Sequence, residues 1–449
     1  MLDPAPSRPN GLVVVLGGGI AGLAAASRLS QAGLRVLVIE RERQGGGQHR
    51  GCDIGPYTFD AGSIFYERSA ALFDLAPGLR DLCPAVTRVQ RRITPGGAIR
   101  HYPFDPRELL ARRVPDLLHA MADLAWSRLT VRRNGTLDAI CRQRLGRHLF
   151  ESTGLAAYIA RFHHEPPGSV DESFFFHRMA YVARATQPAA LARMALRAAA
   201  GQPAGARIRP PLHVRPREGF APLFARITAH LAGRGVQFRF GEELFALRRE
   251  GRFFLLCTTA GTFHAEAVVS TIPLDTLHRA LFATGSGLVS LDMTALFVSA
   301  ARLSPQLGNV LYNFDGKGLW KRATIYSRIY PQEHESREFL TVEAMIPQDA
   351  SPAPGAVFAD FQRHMEGLRL ADGLVLEGHA HAGNAYPLYT PGSGAVTGQI
   401  LRRIERAGIV LAGRQGRFEY LPTSSSVIRR VAEELDSARL LSAVCGPTA

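Results

Sequence analysis

Leu12-Val13-Val14-Val15-Leu16-Gly17-Gly18-Gly19-Ile20-Ala21-Gly22-Leu23 is the stretch whose reading decides the fold. A run of five apolar, mostly β-branched residues predicts a buried strand. It ends in Gly17-x-Gly19-x-x-Gly22, and a helix-like Leu23-Ala24-Ala25-Ala26-Ser27-Arg28-Leu29 follows. That spacing is the dinucleotide fingerprint: a tight turn, close backbone approach to a pyrophosphate, then close packing of helix on strand. Gly33 closes the helix, and a second strand, Leu34-Arg35-Val36-Leu37-Val38-Ile39, delivers Glu40 at its end, where an acid holds a ribose diol. The ordinary alternative is a glycine turn in an unrelated αβ unit, and this order of strand, helix, strand and acid makes it the lesser reading.

Working outward, Gly45-Gly46-Gly47 opens a glycine-rich loop that reaches Gly62. Such a loop passes close to a bound cofactor because it has no side-chain bulk. Asp60 to Tyr66 leads into a predicted helical stretch. From about 107 to 214 the chain becomes rich in alanine, arginine and leucine, with breaks at Pro166-Pro167, Pro188 and Pro210-Pro211. The αβ pattern returns near Pro216: a helix over 219–231, a strand over 235–240, a hairpin around Glu250-Gly251, and a buried strand over 267–273. Alternating segments at 295–301, 309–312, 323–329 and 339–345 predict a mostly antiparallel sheet, suited to the wall of a substrate cleft. A last strand, Gly408 to Ala412, turns at Gly413 and is followed by an amphipathic helix over 426–435.

Composition limits the function classes. The 449 residues, 46% hydrophobic and 20% charged, read as globular and long enough for two or three domains. No segment qualifies as a membrane span; the apolar stretch 11–26 carries the glycines of the fingerprint and is not read as a leader. The net charge of +14 is almost all arginine, since lysine occurs only at Lys317 and Lys321. No block of five or six like charges occurs, so nucleic acid is not expected as a partner. The positive balance suits an anionic small-molecule substrate, and leaves open a peripheral contact with acidic lipid headgroups. Five scattered cysteines without a CxxC pair fit a reducing, cytoplasmic location, and no metal site is expected. His163-His164-Glu165 reads as polar lining, because adjacent histidines point in different directions.

Taken in this order, these pieces resemble the superfamily of FAD-dependent amine oxidases, protoporphyrinogen oxidases, phytoene desaturases and UDP-galactopyranose mutases. The likeness rests on the fingerprint, Glu40-Arg41, Phe59-Asp60-Ala61-Gly62, Pro216-Arg217-Glu218-Gly219-Phe220 and Val269-Ser270-Thr271-Ile272-Pro273. Towards the mutase branch it adds His101-Tyr102-Pro103-Phe104, Trp320-Lys321-Arg322-Ala323-Thr324, Thr341-Val342-Glu343, Tyr386-Pro387-Leu388-Tyr389 and Gly413-Arg414 through Tyr420.

The resemblance implies an α/β fold: a Rossmann-type, glutathione-reductase-like FAD-binding domain (9–106, 215–290 and 380–449) interrupted by a substrate domain of antiparallel sheet plus helices (107–214 and 291–379). It implies non-covalent FAD held by Gly17, Gly19, Ile20, Ala21, Gly22, Glu40, Arg41, Gly46, Gly47, Phe245, Gly413 and Arg414. Phe245 would line the adenine pocket through its strand. Arg322, Tyr386 and Tyr420 would hold an anionic substrate, with Ser63 and Tyr66 as further pocket candidates. The ordinary alternative for Arg322 is a surface ion pair with an acid such as Glu343; for the tyrosines it is a core ring with its hydroxyl satisfied.

Two departures distinguish the chain from mutases: Ser63 stands where they carry a histidine, and Leu421 to Ser426 replaces an acidic pair. A third sets it apart from many relatives, Phe162 to Pro166 in place of a Trp-Gly segment, although Arg178 is kept. The expected activity is therefore oxidation of a small organic substrate by an FAD enzyme. A non-redox mutase is the alternative, and a flavin-binding scaffold without turnover the third reading.

Overall fold

A computed structural model describes residues 11–49, 51–103, 114–177, 179–187, 189–190, 193, 211–332, 336–347, 350 and 352–438. Phe104, Arg178, Pro188, Pro210 and Cys445 lie outside the described residues.

The β-branched run forms the strand Leu12–Leu16 at the middle of a five-stranded parallel sheet. Its neighbours are Arg35–Glu40, then Gln237–Phe240, on one side, and Ala267–Ser270, then Val410–Leu411, on the other. Val14 pairs with both Leu37 and Val268. A strand flanked on both sides and covered on both faces must be apolar throughout, and Val13 to Leu16 are all buried. The helix Ile20–Gln31 buries Leu23, Ala24, Ala25, Ala26 and Leu29 because it is covered twice, by the sheet and by the helices Ala221–Gly233 and Ser424–Ser437. Its alanines keep those layers close.

A second sheet has seven strands in the order Val375–Pro387, Ser290–Ala300, Glu338–Pro347, Trp320–Ile325, Val310–Asn313, Gln90–Ile93, Ile99–His101. All pairs are antiparallel except Val310–Asn313 with Gln90–Ile93. Two of its members, at 90–93 and 99–101, come from the N-terminal part of the chain. A three-stranded antiparallel sheet holds Leu244–Glu250, Phe253–Thr258 and Gly261–Ala265.

The predicted helical stretch after Tyr66 is a correction: it holds only the short 3-10 turns Ala71–Asp74 and Arg80–Leu82. Pro77-Gly78 and Pro84 interrupt it, each proline removing an N–H that a continuous helix needs. The region 114–185 is helical, with Val114–Thr130, Leu137–Leu145, Arg147–Ser152, Leu155–His163, Ser173–His177 and Ala180–Ala185. Leu155–His163 docks on the seven-stranded sheet through Gly154, where a Cβ would fall on the carbonyl oxygen of Phe314.

Candidate active site

The fingerprint glycines meet at the carboxyl edge of the parallel sheet. Gly17 (φ +99°) donates its N–H to Ile39 O at 2.8 Å, tying the turn to the neighbouring strand. A Cβ on Gly22 would fall on the Gly17 carbonyl, so this position needs glycine for helix–strand packing. Gly19 caps the helix N-terminus with φ −74°, and a Cβ there would meet only Gly47 backbone, at 3.7 Å or more. Space beside a helix N-terminus, bare of side chains, is what a pyrophosphate requires. Gly46 N donates to Gly18 O at 2.9 Å, which folds the glycine loop over this end. Gly413 (φ +73°) closes the other side so tightly that its Cβ would strike Ala21. The buried carboxylate of Glu40 accepts from Gly18 N at 2.6 Å and from Glu42 N at 2.9 Å, which fixes its orientation at the strand end.

Other candidates lie further out. Arg41 is exposed and pairs with Glu42 at 3.2 Å. Glu242 N donates to Glu40 O at 3.0 Å, bringing the start of the Leu244–Glu250 strand beside the acid. The Phe245 ring itself is 63% exposed, at the register shift between Leu244 and Ala246.

Tyr386 and Tyr420 are brought together, Arg414 joins them, and Arg322 lies near Tyr386. The Tyr386 and Tyr420 rings are 5.9 Å apart and nearly parallel. The Arg414 guanidinium lies 4.5 Å from the centre of Tyr386 and 5.7 Å from that of Tyr420, while donating to Ala385 O. The Tyr389 hydroxyl donates to Phe418 O at 3.0 Å and accepts from Tyr420 N at 2.7 Å, locking the C-terminal segment against this strand end. Tyr389 also lines a separate cleft of about 270 Å³, with Arg417, Glu419 and Arg430.

The surface pair envisaged for Arg322 is corrected to a buried one. Arg322 donates to Glu343 Oε1, and Lys321 Nζ stands 3.2 Å from Glu343 Oε2, with both Lys321 and Glu343 side chains only 2% exposed. Lys321 also sits 4.5 Å from the centre of Tyr386 and 5.1 Å from that of Phe162. Burial works to raise the Glu343 pKa, but the two cations outweigh it and hold the carboxyl at about 2. The acid is thus ionised, and burial of Arg322 is overcome by the same contact, which pushes its pKa up.

Lys321 was missed as a site residue, although one of only two lysines in the chain was itself a signal. Phe162 was read only as part of a replaced segment, yet its ring packs 5.0 Å from Tyr386. Next to it, His163 is buried against Phe162 and Phe174, and His164 Nε2 lies 2.6 Å from Met345 O.

Tyr66 does not join this group. Ser63 is exposed. Tyr66 is buried in the core around the Arg215–Asp60 pair (2.6 Å, both side chains fully buried), with its ring 5.8 Å from Phe73.

With this geometry in place, comparison defines the class. The profile of the flavin containing amine oxidoreductases matches residues 20–344, and the chain belongs to that family. Its cofactor class is therefore flavin, and the glycine cradle fits one.

Among solved structures it is similar to reduced UDP-galactopyranose mutase (16% identity, 97% of this chain and 98% of that one, TM-score 0.76). It is similar as well to a putative protoporphyrinogen oxidase from Exiguobacterium sp. (17% identity, 97% and 100%, TM-score 0.74). Both show a shared fold. A short stretch of 53 residues is 45% identical to a 1-hydroxycarotenoid 3,4-desaturase from Flavobacterium sp. (strain P99-3), spanning 12% of this chain and only 11% of that protein.

Proposed function

We propose that the protein is an FAD-dependent oxidoreductase that binds FAD non-covalently and oxidises a small organic substrate. The observation that carries this is the continuity of the two half-sites. Gly413 closes the glycine cradle against Ala21, and the next residue, Arg414, lies beside Tyr386 and Tyr420. When bound, FAD supplies the hydride acceptor. Gly17, Gly19, Gly22, Gly46, Gly47 and Gly413 leave room for its pyrophosphate, with Ile20 and Ala21 opening the helix beneath. Glu40 holds the ribose, and Arg41 and the strand of Phe245 lie at the adenosine end. Tyr386, Tyr420 and Arg414 orient the substrate, with Phe162 excluding water at its side. In this reading segments 9–106, 215–290 and 380–449 serve the flavin, and 107–214 with 291–379 serve the substrate. The 90–101 strands and the start of the 375–387 strand extend the substrate sheet.

The mutase alternative draws support from Tyr386 and Tyr420 lying together, with Arg322 near Tyr386. Against it stand the departures at Ser63 and at Leu421 to Ser426, and one amino group of Arg322 is already given to Glu343 Oε1. The test is an anaerobic incubation of chemically reduced protein with UDP-galactopyranose. No furanose isomer is expected. Isomerisation without net flavin oxidation would overturn the oxidoreductase reading in favour of the mutase.

A further inference from the structure

The helix Val114–Thr130 is amphipathic in the wrong sense for a surface helix. At 100° per residue, Leu118, Met121, Ala122, Ala125, Trp126 and Leu129 share one face. That face is the one turned to solvent: Leu118 is 62% exposed, Met121 61%, Trp126 69% and Leu129 85%. The buried side instead carries Ala120 and Ser127. Four large apolar side chains exposed on three turns of one helix form a continuous patch, not the scattered exposure that ordinary surfaces show.

We infer that this face docks the protein on an anionic phospholipid surface, the helix lying in the interface plane. Among the described residues no helix is long and apolar enough to cross a membrane, so the contact is monotopic. Charge favours this partner over a second copy of the chain. The net charge is +14; Arg132 is exposed just beyond the helix, and Arg112-Arg113 precede it in sequence. Of the two acids on the helix, Asp123 is turned inward and accepts from His148 N at 2.8 Å. Asp116 projects about 160° from Leu118, away from the apolar face. Two like-charged copies would repel, whereas acidic headgroups would neutralise these arginines. Tryptophan at the edge of an apolar face suits the headgroup level, where its ring is half solvated. The helix rests on Leu137–Leu145 and Arg147–Ser152, part of the helical layer that also carries Phe162 beside Tyr386.

The sequence supplies its own probe, since the only other tryptophan, Trp320, is fully buried. Purified protein is mixed with vesicles of phosphatidylcholine alone, or of phosphatidylcholine with phosphatidylglycerol, and followed by flotation and Trp126 emission. The expected result is co-flotation with the phosphatidylglycerol vesicles, a blue shift, and quenching by brominated lipid. L118S/M121S/L129S should float about tenfold less or weaker, with unchanged flavin content because the three side chains touch no core. Failure of the parent protein to bind, or equal flotation of the variant, would overturn the inference. So would lipid-free Trp126 already shielded from an aqueous quencher, or a sedimentation dimer lost in the variant, which would show the face covered by protein.

Discussion

The guanidinium of Arg414 stands 4.5 Å from the centre of the Tyr386 ring and donates to the carbonyl of the preceding residue, Ala385. One arginine thereby clamps the end of the Val375–Pro387 strand, and Gly413 beside it clamps the fingerprint helix. Replacing Arg414 by lysine keeps the charge but loses the planar guanidinium beside the ring. Arg414→Lys is expected to lower flavin retention and to raise KM together, measured as flavin per protein and steady-state kinetics. Tyr386→Phe keeps the ring and should raise KM with flavin content unchanged.

The fingerprint glycines should separate by role. Gly19→Val meets only loop backbone, so the fold should survive while flavin content collapses, because the branched side chain occupies the pyrophosphate space. Gly22→Val should instead fail to fold, its Cβ falling on Gly17 O. Circular dichroism and flavin content of the two variants, side by side, check this.

Glu40→Ala removes two backbone hydrogen bonds to a buried carboxylate, at 2.6 and 2.9 Å. The expected loss is about 1–3 kcal/mol of stability, with weaker but measurable FAD binding. Chemical denaturation and flavin titration read the two effects separately.

The buried Lys321–Glu343–Arg322 cluster predicts a pH dependence. The Glu343 pKa is depressed in the folded state to about 2 from an ordinary 4.5, so its contribution is present above pH 4.5 and is lost as pH falls towards 2. Glu343→Gln should cost about 3–5 kcal/mol near neutrality by leaving two cations without a counter-charge. It should also flatten the acid limb of a stability-versus-pH curve between pH 4.5 and 2. An unchanged acid limb would show that the carboxylate is not ionised in the native protein.

This cluster also shows where sequence reading runs out. The parallel sheet, its glycine turn, Glu40 and Gly413 were legible because each depends on local spacing. Arg322 and Glu343 were legible as neighbours, but Lys321, adjacent in sequence, belongs by strand alternation on the opposite face. A register shift between Trp320 and Arg322 brings both cations to one carboxylate, and a shift of this kind is set by pairing, not by sequence pattern. The strand Val375–Pro387 was likewise hidden before its last residues. Its half-exposed run of glycine, alanine and histidine lacks an apolar alternation, because it is an edge strand paired only with Ser290–Ala300.

The most direct measurement is the visible absorption spectrum of the purified protein before and after denaturation. The account predicts a yellow protein carrying flavin in a one-to-one ratio, which unfolding releases as free FAD. A colourless protein that cannot be reconstituted with FAD would contradict it.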